Sequence, residues 1–346
     1  MGRKLTNPGL AGIPEGVQIV RGYRRIAEEL GEPPRRPAVA IGNFDGVHRG
    51  HRALLDKARR LACLSTGQTL ALTFDPHPAR FFAPELAPPM LTPLARRIEL
   101  LQEAGADIVL VEPFTAELAA MPAEEFIRQV LHGALGASHI VVGADFSFGR
   151  DRSGNTALLA SVGEQLDMGV HIVSQVTANG LVCSSTKVRE FVLEGRVEGA
   201  SLLLGRPFEV DGAVVAGAGR GRTLGVPTAN LAPDGELLPK PGVYAGRACL
   251  LASVSRGDAA TQEGARAETR WYAAAISIGT NLTFAEQGDP ALTVEAHLLD
   301  FTGDLYGARL RLVFVARLRE QRRYAKVEEL VAEIERDIAR TREICT

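Results

Sequence analysis

Cysteine is scarce in this chain of 346 residues: Cys63, Cys183, Cys249 and Cys345 lie far apart and form no CxxC pair. That spacing argues against a disulfide framework and a cysteine zinc site, and it fits a reducing cytoplasm. No run of 18 apolar residues occurs, which excludes a hydrophobic spanning helix. The opening MGRKLTNPGLAGIPEG has no apolar core, so export is not expected. A surplus of one charge is missing as well. Thirty-nine basic residues against 41 acidic ones leave a formal net charge of -2, so nothing draws the chain generally to nucleic acid or to an anionic membrane. No internal repeat is found.

What is present is the composition of a globular protein, 46% hydrophobic and 23% charged, in a chain about twice the usual domain size. Two domains are expected, and two patterns occur. From about residue 38 to 176, short β-type runs (AVAI, TLALTF, DIVLVEPF, HIVVG, HIVSQV) alternate with helical spacing, the βαβ pattern of a parallel sheet. Leu54, Leu55, Ala58, Leu61 and Ala62 share one helical face, and residues 94–104, 123–135 and 156–168 read as crossover helices. Beyond residue 204, strand-like runs (FEVDGAVVAGAG, GVYAGRACLL, WYAAAISIG, ALTVEAHLLDF, RLRLVFVARL) follow one another without helices between them, which predicts an antiparallel sheet or barrel. A last stripe of Val327, Leu330, Val331, Ile334 and Ile338 predicts a helix closing that barrel. STKVREFVLEGRVEGASLLLG reads as helices joining the domains, and SRGDAATQEGARAET (255–269) as a flexible insertion. The expected boundaries are 15–186, a helical connection 187–204, and 205–346.

GNFDGVHRGH (42–51) is the first concentration of chemistry. Gly42 and Gly46 let a ligand approach the backbone between strand and helix, and the helix start directs free N–H groups and a positive dipole end into the turn. The spacing matches neither GxxxxGK[ST] nor GxGxxG. His48 and His51, one helical turn apart, suit a phosphate on which charge builds up; a zinc pair or a capping histidine is the alternative. The second concentration is GAGRGRTLGVPTANL (217–231), a glycine-rich loop that includes Gly219 and Gly221 and can approach phosphates. In its extended PTAN segment Thr228 and Asn230 offer a hydroxyl and an amide oxygen to a hard cation such as Mg²⁺, or close an ordinary turn. Along ALTVEAHLLDF, Thr293, Glu295 and His297 share one strand face, and Glu295 is either a base or an exposed acid.

These motifs carry a resemblance. GNFDGVHRGH resembles the G-x-F-D-G-x-H-x-G-H signature of nucleotidyltransferases, and with TFDPHPARFF (73–82), VVGADFSFGRDRSGN (141–155) and SSTKVRE (184–190) in order it is most similar to the bacterial bifunctional riboflavin kinase and FAD synthetase family. GVPTAN, PGVYAG, TVEAHLLDF, GDLYG and ARLREQRRYAKVEEL look like the kinase module, so the resemblance covers roughly residues 15–346. It implies a Rossmann-like nucleotidyltransferase domain with a parallel sheet, followed by an antiparallel β-barrel riboflavin kinase domain with a closing C-terminal helix. It implies that riboflavin is phosphorylated to FMN and FMN adenylylated to FAD, with Mg²⁺ arriving with ATP and flavins as substrates and products.

By the same resemblance His48 and His51 hold the triphosphate together with Gly42, Phe44, Gly46, Ser185, Thr186 and Arg189. Gly219, Gly221, Thr228 and Asn230 serve the kinase nucleotide, and Glu295 is its base. His77, Phe81 and Asp145 are implied in flavin binding. Ser185 and Thr186 also suit a helix N-cap, His77 a turn, and Phe81 and Phe82 a core. The small molecules ATP, riboflavin and FMN are the expected partners, an oligomer is left open, and the Arg-rich RLREQRRYAK is read as a solvated face. Two other readings compete: an enzyme with one of the two activities, and a flavin carrier without ATP turnover.

Overall fold

The computed structural model describes residues 18–217, 225–235, 237–251, 270–280, 292–322 and 324–345. The described chain divides between Ser184 and Ser185 into two compact units. The first runs β1 (Gln18–Arg21), α1 (Ile26–Leu30), β2 (Ala38–Ile41), α2 (Arg49–Leu64), β3 (Thr69–Asp75), α3 (Pro78–Phe82), α4 (Leu94–Glu103), β4 (Ile108–Pro113), α5 (Ala116–Ala120) and α6 (Ala123–Glu125). α6 continues as π-helical turns over Phe126–Ala134. Then come β5 (His139–Gly143), α7 (Thr156–Gln165), β6 (Gly169–Val173) and a hairpin of β7 (Thr177–Ala178) and β8 (Leu181–Val182).

Among the described residues the sheet has six strands in the order β1-β4-β3-β2-β5-β6, and every pairing is parallel. β2 is buried along its whole length, which is why it reads as an unbroken apolar run. From β2 the chain winds outward through β3 to β4 and then returns to β5 on the other side. The carboxyl ends of β2 and β5 therefore flank the point where the winding reverses, the place where such sheets bind ligands. α2 buries Leu54, Leu55, Ala58, Leu61 and Ala62, as its spacing predicts.

The second unit comprises α8 (Ser185–Leu193), α9 (Val197–Leu204), β9 (Phe208–Val215), β10 (Ala229–Pro233), β11 (Gly242–Leu251), β12 (Trp271–Thr280), β13 (Leu292–Leu298), β14 (Arg309–Arg319) and α10 (Val327–Cys345). Among the described residues these strands close into a barrel in the order β10-β13-β12-β11-β14-β9. Alternation sets the faces: Val294, Ala296 and Leu298 of β13 are buried, while Thr293, Glu295 and His297 are half-buried on the opposite face.

α10 closes the unit, and beside the expected apolar stripe it buries an ionic line. Val327 is 58% exposed and Leu330, Val331, Ile334 and Ile338 are half-buried, while the most buried line is Glu333, Asp337, Thr341 and Cys345. The reason is the partner surface. The Arg319 guanidinium meets Asp337 at 2.7 Å and Glu333 at 3.6 Å, while Arg322 and Arg336 reach Glu333 at 3.0 and 2.6 Å. Part of the Arg-rich segment read as solvated is thus an ionic seam. The predicted insertion at 255–269 lies outside the described residues.

Candidate active sites

Strain marks the turn that follows β2. Phe44, Gly46 and Val47 have φ of 51°, 82° and 39°, and left-handed backbone is costly for a β-branched residue such as Val47. The turn is held from behind. The buried Asp45 carboxylate accepts the backbone N–H groups of Leu91 and Thr92 at 2.9 and 3.2 Å, and Gly46 N–H donates to Thr92 Oγ1 at 3.2 Å. Neither Asp45 nor its partners were singled out by sequence, because the contact spans 46 residues.

The turn delivers two histidines. His48 is the N-cap of α2, its Nδ1 accepting from His51 N–H at 3.3 Å. A neutral His48 ring that accepts at Nδ1 carries its proton on Nε2. The two rings stack with centroids 3.6 Å apart and 18° between their planes. Phe44, fully buried, meets the edge of His51 at 5.2 Å, which makes it a support for that ring. Burial, reinforced by the charges of His48 and Arg97, holds the proton affinity of His51 well below that of a free imidazole. Gly50 suits this packing: a Cβ there would stand 3.0 Å from the His48 ring and 3.2 Å from the Cys183 carbonyl, close enough to push one of them aside by a few tenths of an ångström. The capping alternative is therefore realised by His48. Among the described residues no group of three or more His, Cys, Asp or Glu side chains is placed to hold a metal ion.

His77 caps α3, its Nδ1 accepting from Ala79 N–H at 3.1 Å. Phe81 and Phe82 are exposed by 37% and 67% and meet Phe114 edge-on at 5.4 and 5.7 Å, beyond the ends of β3 and β4. Asp145 is exposed in the loop after β5. Ser185, Thr186 and Arg189 lie in the first turns of α8, in the second unit. Gly219 and Gly221 lie outside the described residues.

In the barrel, strand register does the assembling. Asn230 of β10 pairs with Glu295 of β13, and Glu295 pairs with Ser277 of β12. The three form one half-buried row on the side away from the core. The Asn230 amide packs on Gly217, where a Cβ would come within 2.0 Å of it. His297 Nδ1 donates to the Pro227 carbonyl at 2.8 Å, tying β13 to the PTAN segment. Thr228, Ala296, Leu298, Phe301, Asp304 and Tyr306 are among the residues that line a cavity of about 100 Å³. Ser277, bonded to Gln321 at 2.8 Å, escaped the sequence reading because only register places it beside Glu295.

The chain matches the FAD synthetase family model over residues 31–187 and the riboflavin kinase model over residues 204–345. It is 38% identical to a bifunctional riboflavin kinase/FMN adenylyltransferase of Pseudomonas fluorescens, across 94% of this chain and 97% of that one. The chain belongs to the bifunctional riboflavin kinase/FMN adenylyltransferase family. The Escherichia coli K12 and Bacillus subtilis 168 members are 34% and 32% identical over 94% and 93% of this chain, and over 97% and 95% of their own lengths. A crystal structure described as a macrolide-efflux protein from Streptococcus pneumoniae superimposes with a TM-score of 0.78 and 28% identity, covering 94% of this chain and 99% of that one. Efflux is that protein's description; here no helix among the described residues is long and apolar enough to cross a membrane. As a member of the bifunctional family, the chain is an enzyme of flavin cofactor synthesis, its FAD synthetase region almost coextensive with the parallel-sheet unit and its riboflavin kinase region containing the barrel.

Proposed function

We propose that the two steps are carried by separate residue sets. In the first unit, His48 and His51 hold the ATP phosphates at the carboxyl end of β2. An FMN phosphate oxygen attacks the α-phosphorus, the bond from that phosphorus to the bridging oxygen of the β-phosphate breaks, and pyrophosphate leaves. Both rings act as N–H donors to the charge that accumulates, which suits a His51 kept neutral by its surroundings. Phe81, His77 and Asp145 line the flavin side, and the exposed aromatic cluster supports ring stacking there.

In the barrel, Glu295 takes the proton of the ribityl 5′-hydroxyl as that oxygen attacks the γ-phosphorus of ATP and ADP leaves. Thr228 and Asn230 supply neutral oxygens that fit Mg²⁺, a cation that neutralises phosphate charge when it is bound with ATP. The observation that supports this reading is the paired register of Asn230 and Glu295, which sets a side-chain amide oxygen and a carboxylate at facing positions of neighbouring strands.

The test is incubation with riboflavin and Mg-ATP, with FMN and FAD separated by chromatography. The parent makes both. His48→Ala/His51→Ala stops at FMN, with adenylylation down by at least ~100- to 1,000-fold. Glu295→Gln loses riboflavin phosphorylation by ~100- to 10,000-fold and still converts supplied FMN to FAD. Near-parental adenylylation in the first variant, or near-parental phosphorylation in the second, removes those residues from the mechanism.

A further inference from the structure

Arg97 of α4 is only 2% exposed, one of the largest fully buried side chains in the described structure. Its position in the sequence suggests no more than the polar side of a crossover helix. Its guanidinium nevertheless reaches two separate active-site segments. Nη1 donates to the Asn43 carbonyl, in the turn before His48, at 2.9 Å, and approaches the Phe74 carbonyl, just before the His77 loop, at 3.4 Å. Nη2 lies 3.8 Å from the Asp75 carboxylate. Thr73 Oγ1 donates to the same Asn43 carbonyl at 3.1 Å.

Burying a guanidinium is costly, and here the cost is only partly compensated: Nε is buried without a hydrogen-bond partner. A side chain needed merely to fill the space between α4 and the sheet would be apolar. A buried cation bonded to two carbonyls serves better as a two-point fastener, since the two N–H bonds of Nη1 lie in the rigid guanidinium plane and fix both acceptors in one geometry. Asp45 works in the same direction, binding the N–H groups of Leu91 and Thr92, just before α4, to the same turn.

We propose that Arg97 is a positioning residue of the adenylyltransferase step, fastening the HxGH turn to the His77 loop so that the ATP-facing histidines and the flavin side keep a fixed spacing. It touches neither substrate and acts through Asn43, Phe74 and the two segments they belong to. The proposal rests on the assignment of adenylylation to His48 and His51.

The test compares Arg97→Met, Arg97→Lys and His48→Ala/His51→Ala in the full chain. Adenylylation of FMN is read as kcat, KM and pH profile, and riboflavin phosphorylation by the same preparations is read in parallel. Arg97→Met is expected to lower kcat by roughly 100-fold, the scale of a 1 Å misplacement, with KM for FMN changed much less. Because the cation beside His51 is gone, the acidic limb of the profile moves to higher pH. Arg97→Lys, a charge without the fork, keeps the limb in place and still loses kcat.

Parental kcat in Arg97→Met overturns the proposal, as does full recovery in Arg97→Lys. Should Arg97→Met fail to fold, Arg97→Lys decides by the same criterion. If the histidine double variant keeps adenylylating, the site assignment itself has failed, and the proposal falls with it. If that variant is inactive while Arg97→Met is not, only the role of Arg97 is refuted.

Discussion

Glu112, at the end of β4, shows what one buried residue does to the pH response of the fold. Its carboxylate accepts the Tyr23 N–H at 2.6 Å, but burial dominates and pushes its pKa up to about 7. Below about pH 4.5 folded and unfolded chains both hold this proton, and the contribution to stability is whole. Between there and pH 7 the unfolded chain releases the proton first, so stability falls as pH rises, and above 7 the loss is complete. Glu112→Gln keeps an acceptor for Tyr23 and removes the ionisation. Melts of the two proteins should therefore diverge from pH 5 to pH 8, with the variant gaining up to ~3 kcal/mol at the upper end. Parallel curves would show that Glu112 does not titrate in this range. Residues of this kind are hard to read from sequence. His48 and His51 were legible because their spacing is local, whereas Asp45, Arg97, Glu112 and Ser277 matter through partners 18 to 89 positions away.

Among the elements, α10 departs most from its pattern. Leu330, Val331, Ile334 and Ile338 are only half-buried, and the line buried beside them carries Glu333 and Asp337, to which β14 presents Arg319. Asp337→Asn leaves that guanidinium, only 19% exposed, with a weaker partner in Glu333. A loss of ~2 kcal/mol is expected, below the ~3–5 kcal/mol of a fully buried broken pair, while Val327→Ala should stay within ~0.5 kcal/mol. Denaturant midpoints of the kinase unit check both, and the reverse ranking would restore the apolar stripe. α2 and β13 were legible because each buries one consistent face, and β2, β3 and β4 because they are buried almost throughout and read as unbroken apolar runs. β1 was not, since its four residues at a sheet edge carry little periodicity, and β10 was seen only as an extended PTAN segment. α8 and α9 were legible as helices but not as part of the barrel unit, because the bonds that join them to it are long in sequence. Lys240 N–H donates to the Val192 carbonyl, and Arg317 N–H to Glu198.

For the molecule as a whole, those bonds decide where it can be cut. A fragment of residues 185–346 keeps α8 and α9 with the barrel and should melt cooperatively, convert riboflavin to FMN and make no FAD. One of residues 205–346 uncovers the surface that Val188, Phe191, Leu203 and Leu204 bury, and its melting temperature should be lower. A 185–346 fragment that makes FAD would overturn the division of labour between the units. Closure of the barrel reaches further still. In an open sheet a strand slipped by one residue finds an edge at which the error ends. In a ring of six strands it must be passed on from neighbour to neighbour until it meets itself. Such a slip would turn Val294 and Ala296 outward and carry Glu295 into the core. The ring is in this sense its own proofreader, since the slip that would bury Glu295 must be matched at every other seam before the barrel closes.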